Sequence, residues 1–358
     1  MRVVIVGASG NAGTALLRRL HQDADTEIVG VARRLPEHTG VYRDVDWHAV
    51  DVGADQAADR LAPLFRGADA VVNLAWQIQP SHDRRRLFRT NVLGGREVVR
   101  AVLRSGVPTL VQASSVGTYA RGPKDAYVRE NWPHTGVPES SYSRHKALVE
   151  RMLDDVESVH PTLRTVRVRP GLIFQRTAGT EIARYFAGPL LPARLLRYQR
   201  IPVIPSHPRL RLQGVHADDV AEAYARILRA DLRGGVNLAA GPVLDPHVAA
   251  ATFRGTPVPV PRLALTGGAA LSWALRLQPV DAGWVHLALA APLMSTDRAR
   301  TELGWRPQRT AVAALRDLTT GMAERAHAPS PPLSGDPALP GRLGGLAHGR
   351  LPGTGDPY

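Results

Sequence analysis

The sequence predicts an α/β fold: a doubly wound parallel sheet, followed by a smaller C-terminal substrate lobe and a disordered tail. Three observations carry this. A β-rich run at 3–6 passes through a glycine-rich turn into a helical pattern. Short apolar runs then alternate with helical periodicity through the first half of the chain, which calls for parallel strands with helices on both faces. After Pro170 that rhythm gives way to stretches rich in proline, arginine and leucine.

In chain order, strands are expected at 3–6, 27–32, 70–74, 109–113 and 165–169, with helices at 12–20, 85–104 and 142–156 between them. Residues 201–205 hold too much proline for a helix. Asp218 and Asp219 are expected to cap a helix that presents Val220, Ala223, Tyr224, Ile227 and Leu228 on one face. A returning strand is expected at 235–240, a more apolar lobe at 245–300, and a last helix at 311–322. These elements divide the chain into a dinucleotide-binding part, 1–170 with returning segments 212–240, and a substrate lobe, 171–211 and 241–328. The remainder, 329–358, is so rich in proline and glycine that it is expected to stay disordered.

Composition bounds the function. The chain has 358 residues, 44% of them hydrophobic, and no cysteine, which rules out disulfides and thiolate metal sites and suits a cytoplasmic protein. No apolar run reaches the roughly 20 residues of a membrane span; the 13 residues between Arg262 and Arg276 fall short of it. The net charge of +13 is scattered rather than gathered into a stripe, so a solvated basic surface is expected and a nucleic-acid partner is not. No His-x-x-x-His or His-Glu-x-x-His pair is present, and no metal is expected.

The turn Gly7-Ala8-Ser9-Gly10-Asn11-Ala12-Gly13 sits where a strand enters a helix. Gly7 permits the tight turn, Gly10 lets a pyrophosphate approach the backbone, and Gly13 allows close helix–strand packing, the dinucleotide-binding arrangement of a Rossmann-type sheet. The helix N-terminus adds free N–H groups for phosphates. At the end of the second strand the residues are Arg33 and Arg34, with no carboxylate for a ribose 2′-hydroxyl. NADP is therefore expected in preference to NAD.

Tyr142 and Lys146 stand four residues apart on an expected helix, hence on one face. An ammonium beside a phenol is expected to lower the phenol's pKa, so that Tyr142 exchanges a proton with a substrate alcohol or carbonyl near neutral pH. Ser115, just after the strand 109–113, is placed to bond the same oxygen. Lys124 and Lys146 are the only lysines among 45 basic residues, which suggests that position 146 needs a compact ammonium that arginine cannot supply.

Together with Asp51-Val52, Asn73-Leu74-Ala75, Asn91-Val92-x-Gly94, Arg169-Pro170-Gly171 and His216-Ala217-Asp218-Asp219, these motifs make the chain resemble the extended short-chain dehydrogenases/reductases, also called the NAD-dependent epimerase/dehydratase family. The resemblance covers residues 1 to about 322 and implies roles. Asp51 and Val52 would lie at the adenine, Leu74, Ala75 and Trp76 along the pyrophosphate and ribose, and Pro170 beside the nicotinamide. Tyr142 would be the acid/base, Lys146 would hold the ribose, Ser115 would orient the substrate oxygen, and Asn91 would support the active-site helix and its water. The resemblance also has departures. Gly171 stands where nucleotide-sugar members carry an asparagine, and Val116-Gly117 replaces the dehydratase acidic pair. The expected activity is hydride transfer between NAD(P) and a carbonyl or secondary alcohol of a small, apolar substrate. An epimerase or dehydratase acting on a sugar nucleotide and a non-catalytic dinucleotide sensor are its rivals, and a homodimer is left open as the assembly.

Overall fold

The computed structural model describes residues 1–187, 196–277 and 280–335. Seven parallel strands form the main sheet: β1 (Arg2–Val6), β2 (Glu27–Ala32), β3 (Asp46–Ala49), β4 (Ala70–Asn73), β5 (Thr109–Ala113), β7 (Arg164–Pro170) and β11 (Gly234–Leu238). Their order is β11-β7-β5-β4-β1-β2-β3, so the winding direction reverses between β1 and β4. A crevice opens outside the carboxyl ends of the strands at such a reversal, and the glycine turn lies there.

Strand β1 shows why the sheet is covered on both faces. Val3 and Ile5 join a core with Leu16, Leu17 and Leu20 of α1 (Asn11–Leu20) and with the helix Ala217–Arg229. Val4 and Val6 point the other way, toward Leu61 and Phe65 of α2 (Ala57–Phe65) and Val98 and Val102 of α4 (Gly94–Ser105). The two-residue alternation of a strand thus fills two separate cores. Leu153 of α5 (Ser141–Val159) packs into the second one.

Strand β3 and helix α2 go beyond the sequence expectation. The run 85–104 is three pieces: α3 (Arg84–Phe88), one π turn over Arg89–Leu93, and α4. The helix Ala217–Arg229 is capped by His216, whose ring nitrogen accepts from the Asp218 N–H, while Asp218 and Asp219 occupy its first turn. Residue 219 instead braces the following segment, accepting from the backbone N–H groups of Gln308 and Arg309.

The smaller lobe holds a three-stranded sheet of β8 (Leu172–Phe174), β10 (Leu212–His216) and β12 (Ala240–Leu244). Two short pairs accompany it: β9 (Val203–Ser206) with β13 (Thr256–Pro259), and β6 (Tyr127–Val128) with β14 (Leu293–Met294). The 201–205 segment is thus extended, as its prolines require. Helix Ala282–Ala290 faces the crevice, and helix Arg262–Ala274 lies against its outer side with no buried residue.

The chain stays packed past the expected boundary at 329. Ser330 donates to the Ser9 carbonyl at 2.9 Å, the Glu37 N–H donates to the Pro329 carbonyl, and Leu333 is fully buried beside Leu318. The rest of the expected tail, from 336, lies outside the described residues.

Candidate active site

One cavity of about 590 Å³ runs from the glycine turn to the second lobe. Gly7, Gly10, Asn11, Ala12 and Gly13 line one end, with Arg33, Arg34, Asp51 and Val52 beyond the end of β2. Leu74, Ala75, Trp76, Ser115, Tyr142, Lys146 and Pro170 line its middle. Every expected site residue except Asn91 therefore borders the same space. Its far wall is largely apolar, with Ile173, Phe174, Phe186, Trp284 and Leu287.

The turn fits a dinucleotide. A Cβ on Gly13 would stand 2.4 Å from the Ala8 carbonyl oxygen, so only glycine lets α1 start this close to β1. Helix α1 has neither a side-chain cap nor an acid in its first turn, which leaves its leading N–H groups available to an anion. From the second lobe, the Gln175 amide donates to the Asn11 carbonyl at 2.8 Å and closes that end of the turn. Buried Asn73 donates to Gln112 at 2.9 Å and accepts from the Ala75 N–H, fixing the 74–76 loop. Trp76 lines the cavity, and its buried indole N–H has no hydrogen-bond partner.

Helix α5 carries Tyr142 and Lys146, which border the cavity together with Ser115. Ser140 caps it, accepting from the Ser143 N–H at 3.3 Å. Lys146 donates to the Ala113 carbonyl at 2.9 Å, which ties the helix to the end of β5. Its ammonium lies 3.5 Å from the Trp76 ring centre and 5.9 Å from that of Tyr142. Burial pulls Lys146 down to about 7, against the opposing pull of Glu150 one turn on. The Tyr142 ring sits between Trp76 at 5.9 Å and Trp284 at 4.9 Å. Ser115, held by the Gly117 N–H at 3.0 Å, is its hydrogen-bond partner.

Two expectations need correction. Burial pushes Tyr142 up to about 12, with only the Ser115 bond opposing it, rather than down. Lys146 gives its hydrogen bond to Ala113, and its own charge is destabilised by the same burial, so in this state it does not draw the phenol toward ionisation. Asn91 does not brace α5 through its amide: it accepts from the Gln77 N–H at 2.7 Å and donates to the Gln77 carbonyl at 2.9 Å. It pins the loop after β4, directly behind Trp76.

Beneath these residues runs a buried network that the sequence reading did not single out. Glu150 accepts from Ser114 and from Arg169, whose Nε is 2.8 Å away. Arg169 also donates to the Tyr119 hydroxyl at 2.9 Å and the Glu130 carbonyl, and Tyr119 donates to Asn237 at 2.7 Å. Burial alone would raise Glu150, but the bonds and charge of Arg169 hold it below the usual carboxylate range. This chain locks α5 to β5, β7 and β11. The visible signal was Arg169, an arginine inside an otherwise buried strand.

The NAD dependent epimerase/dehydratase family matches residues 3–239, from β1 through the last main-sheet strand. The chain belongs to that family. An uncharacterised protein of Mycobacterium tuberculosis is 28% identical over 328 residues, which is 91% of this chain but 30% of that relative. The chain thus spans about a third or less of the length of the first curated relatives it matches. Sterol-4-alpha-carboxylate 3-dehydrogenase, decarboxylating, of Saccharomyces cerevisiae is 29% identical over 182 residues, 48% of this chain and 51% of that enzyme. Among solved structures, the UDP-glucose 4-epimerase of Thermus thermophilus in complex with NAD superposes with a TM-score of 0.67 at 22% identity, covering 91% of this chain and all of that one. That likeness is one of fold.

Proposed function

We propose that this family member transfers hydride reversibly between a nicotinamide dinucleotide and a secondary alcohol or carbonyl of a substrate with an apolar body. The observation that supports it is a single cavity in which Ser115, Tyr142 and Lys146 meet both the glycine turn and a wall of Phe174, Phe186, Trp284 and Leu287. The dinucleotide, when bound, supplies or accepts the hydride. Tyr142 would move the proton at the reacting oxygen, Ser115 would orient that oxygen, and Lys146, which borders the cavity, would hold the ribose. Asp51 and Val52 would flank the adenine, Leu74, Ala75 and Trp76 the pyrophosphate and ribose, and Pro170 the nicotinamide.

Arg33 and Arg34 border the cavity just past the end of β2, where the sequence offers no acid, which supports NADP over NAD. Comparable affinity for NADH and NADPH in both wild type and Arg33→Ala would remove that preference. Sugar epimerisation through a transient ketone is the second reading, favoured by the family match and the epimerase-like fold. Gly171 opposes its nucleotide-sugar form, because a Cβ there would lie 2.4 Å from the Gln213 carbonyl oxygen and leave no room for an asparagine. Net NADPH consumption with a ketone panel supports the reductase. Isomerised product without net change in the cofactor supports the epimerase.

A further inference from the structure

We infer that helix Arg262–Ala274 is an interfacial anchor that lays the protein on an anionic phospholipid surface. From 263 to 275 it carries no charged residue, and none of its side chains is buried. Leu263 is 84% exposed, Leu271 62% and Leu275 59%, and Leu277 just beyond is 44% exposed. A helix facing only water normally turns charge outward, and this one turns leucine, alanine and glycine outward. Its inner side rests on helix Ala282–Ala290, whose Trp284, Leu287 and Ala288 line the cavity. The leucines therefore face away from the site and belong to neither core nor substrate pocket.

The surroundings choose the occupant. Arg262 and Arg276 bracket the apolar run, and α3 adds Arg84 beside it. Trp273 joins the two elements: its ring stacks on His82 at 3.7 Å, and the Arg84 guanidinium stands 5.7 Å from its centre. The acids nearby are Asp83 and Asp281, both of which cap helices, and Asp281 also stands 3.8 Å from Arg84. Burial and the charges of Arg276 and Arg84 hold the His82 pKa below its usual value, a sign that the patch is cationic. A leucine strip edged by arginine and tryptophan matches a helix lying in the plane of a leaflet, its apolar side in the acyl boundary and its cations among the headgroups. A second copy is a poorer occupant. Two such helices packed together, parallel or antiparallel, set arginine against arginine, and residues 262–277 contain no acid to answer them.

The test is flotation of the full chain with vesicles of phosphatidylcholine, alone or mixed with phosphatidylglycerol. Wild type is expected to float with the mixed vesicles and to bind the neutral ones about tenfold or more weakly. A Leu263→Gln/Leu271→Gln/Leu275→Gln variant, altered only at exposed positions, is expected to lose binding by about tenfold or more with its circular dichroism unchanged. Arg84→Gln/Arg262→Gln is expected to lose the anionic preference. Failure of wild type to float with either vesicle overturns the inference. So does a dimer that sediments as such in wild type and falls to monomer in the leucine variant, which would assign the strip to a second copy.

Discussion

The two lysines of the chain border the same cavity, are almost equally inaccessible, and are both pulled down to about 7 by burial, yet their settings differ. Lys146 has Glu150 one turn away, the Trp76 face over its ammonium, and one hydrogen bond, to Ala113. Its other two N–H groups remain for a ligand. Lys124 gives two bonds, to the carbonyls of Arg211 and Ala288 at 2.9 Å each, and has Arg209 and Arg211 as its charged neighbours. It fastens the 122–128 segment to β10 and to helix Ala282–Ala290. The contrast teaches that a rare residue type marks a site that needs an ammonium without saying for what: one lysine keeps N–H groups unspent beside the cavity, and the other ties two segments together.

The largest effect should separate the two. Lys146→Met is expected to lower turnover about 10²–10⁴-fold with the fold intact, as loss of a group acting at the reacting centre does. Lys124→Met should leave turnover per folded molecule far closer to wild type. A comparable loss in both, measured by initial rates on folded protein, would erase the distinction. Next in size, Glu150→Ala strands the Arg169 guanidinium in a buried site and is expected to cost about 3–5 kcal/mol in urea denaturation. Lys124→Met leaves two partly buried carbonyls unanswered, a loss of about 1–3 kcal/mol. By contrast, Leu271→Gln on the exposed helix is expected to change stability by no more than about 0.5 kcal/mol.

The smallest effect is one of pH. Both lysines titrate near 7 when folded and near 10.5 when unfolded, so between those values the unfolded chain holds more protons. Their contribution to stability therefore rises with pH from about 7 toward 10. Tyr119 and Tyr142 are raised from 10.0 to about 12, so above pH 10 the unfolded chain holds fewer protons and stability falls. Lys124→Met should remove part of the rise, and a slope unchanged by that substitution would contradict its burial as a charge.

What could be read from the sequence was what is local in the chain. The glycine turn, the strands of the first half and the Tyr142/Lys146 spacing each depend on residues a few positions apart, and the structure places them in one cavity. Strand β3 escaped notice because its run, Asp46-Trp47-His48-Ala49, alternates with polar residues at the sheet edge and buries only Trp47 fully. Residues 263–275 fall within the stretch expected as a more apolar lobe, and only the tertiary packing shows that their outer face is exposed. The upward shift of Tyr142 has a similar origin. Sequence spacing put an ammonium near the phenol, but desolvation by Trp76 and Trp284, distant in sequence, outweighs it.

The most direct test of hydride transfer assisted by Tyr142 is a label. Protein loaded with NADPH carrying deuterium at the transferable C4 position is mixed with a ketone panel, and the alcohols formed are examined by mass spectrometry. Deuterium at the carbinol carbon from wild type, with loss of about 10²-fold or more in Tyr142→Phe that still binds the dinucleotide, is the predicted result. Label transferred equally well by Tyr142→Phe would contradict the account.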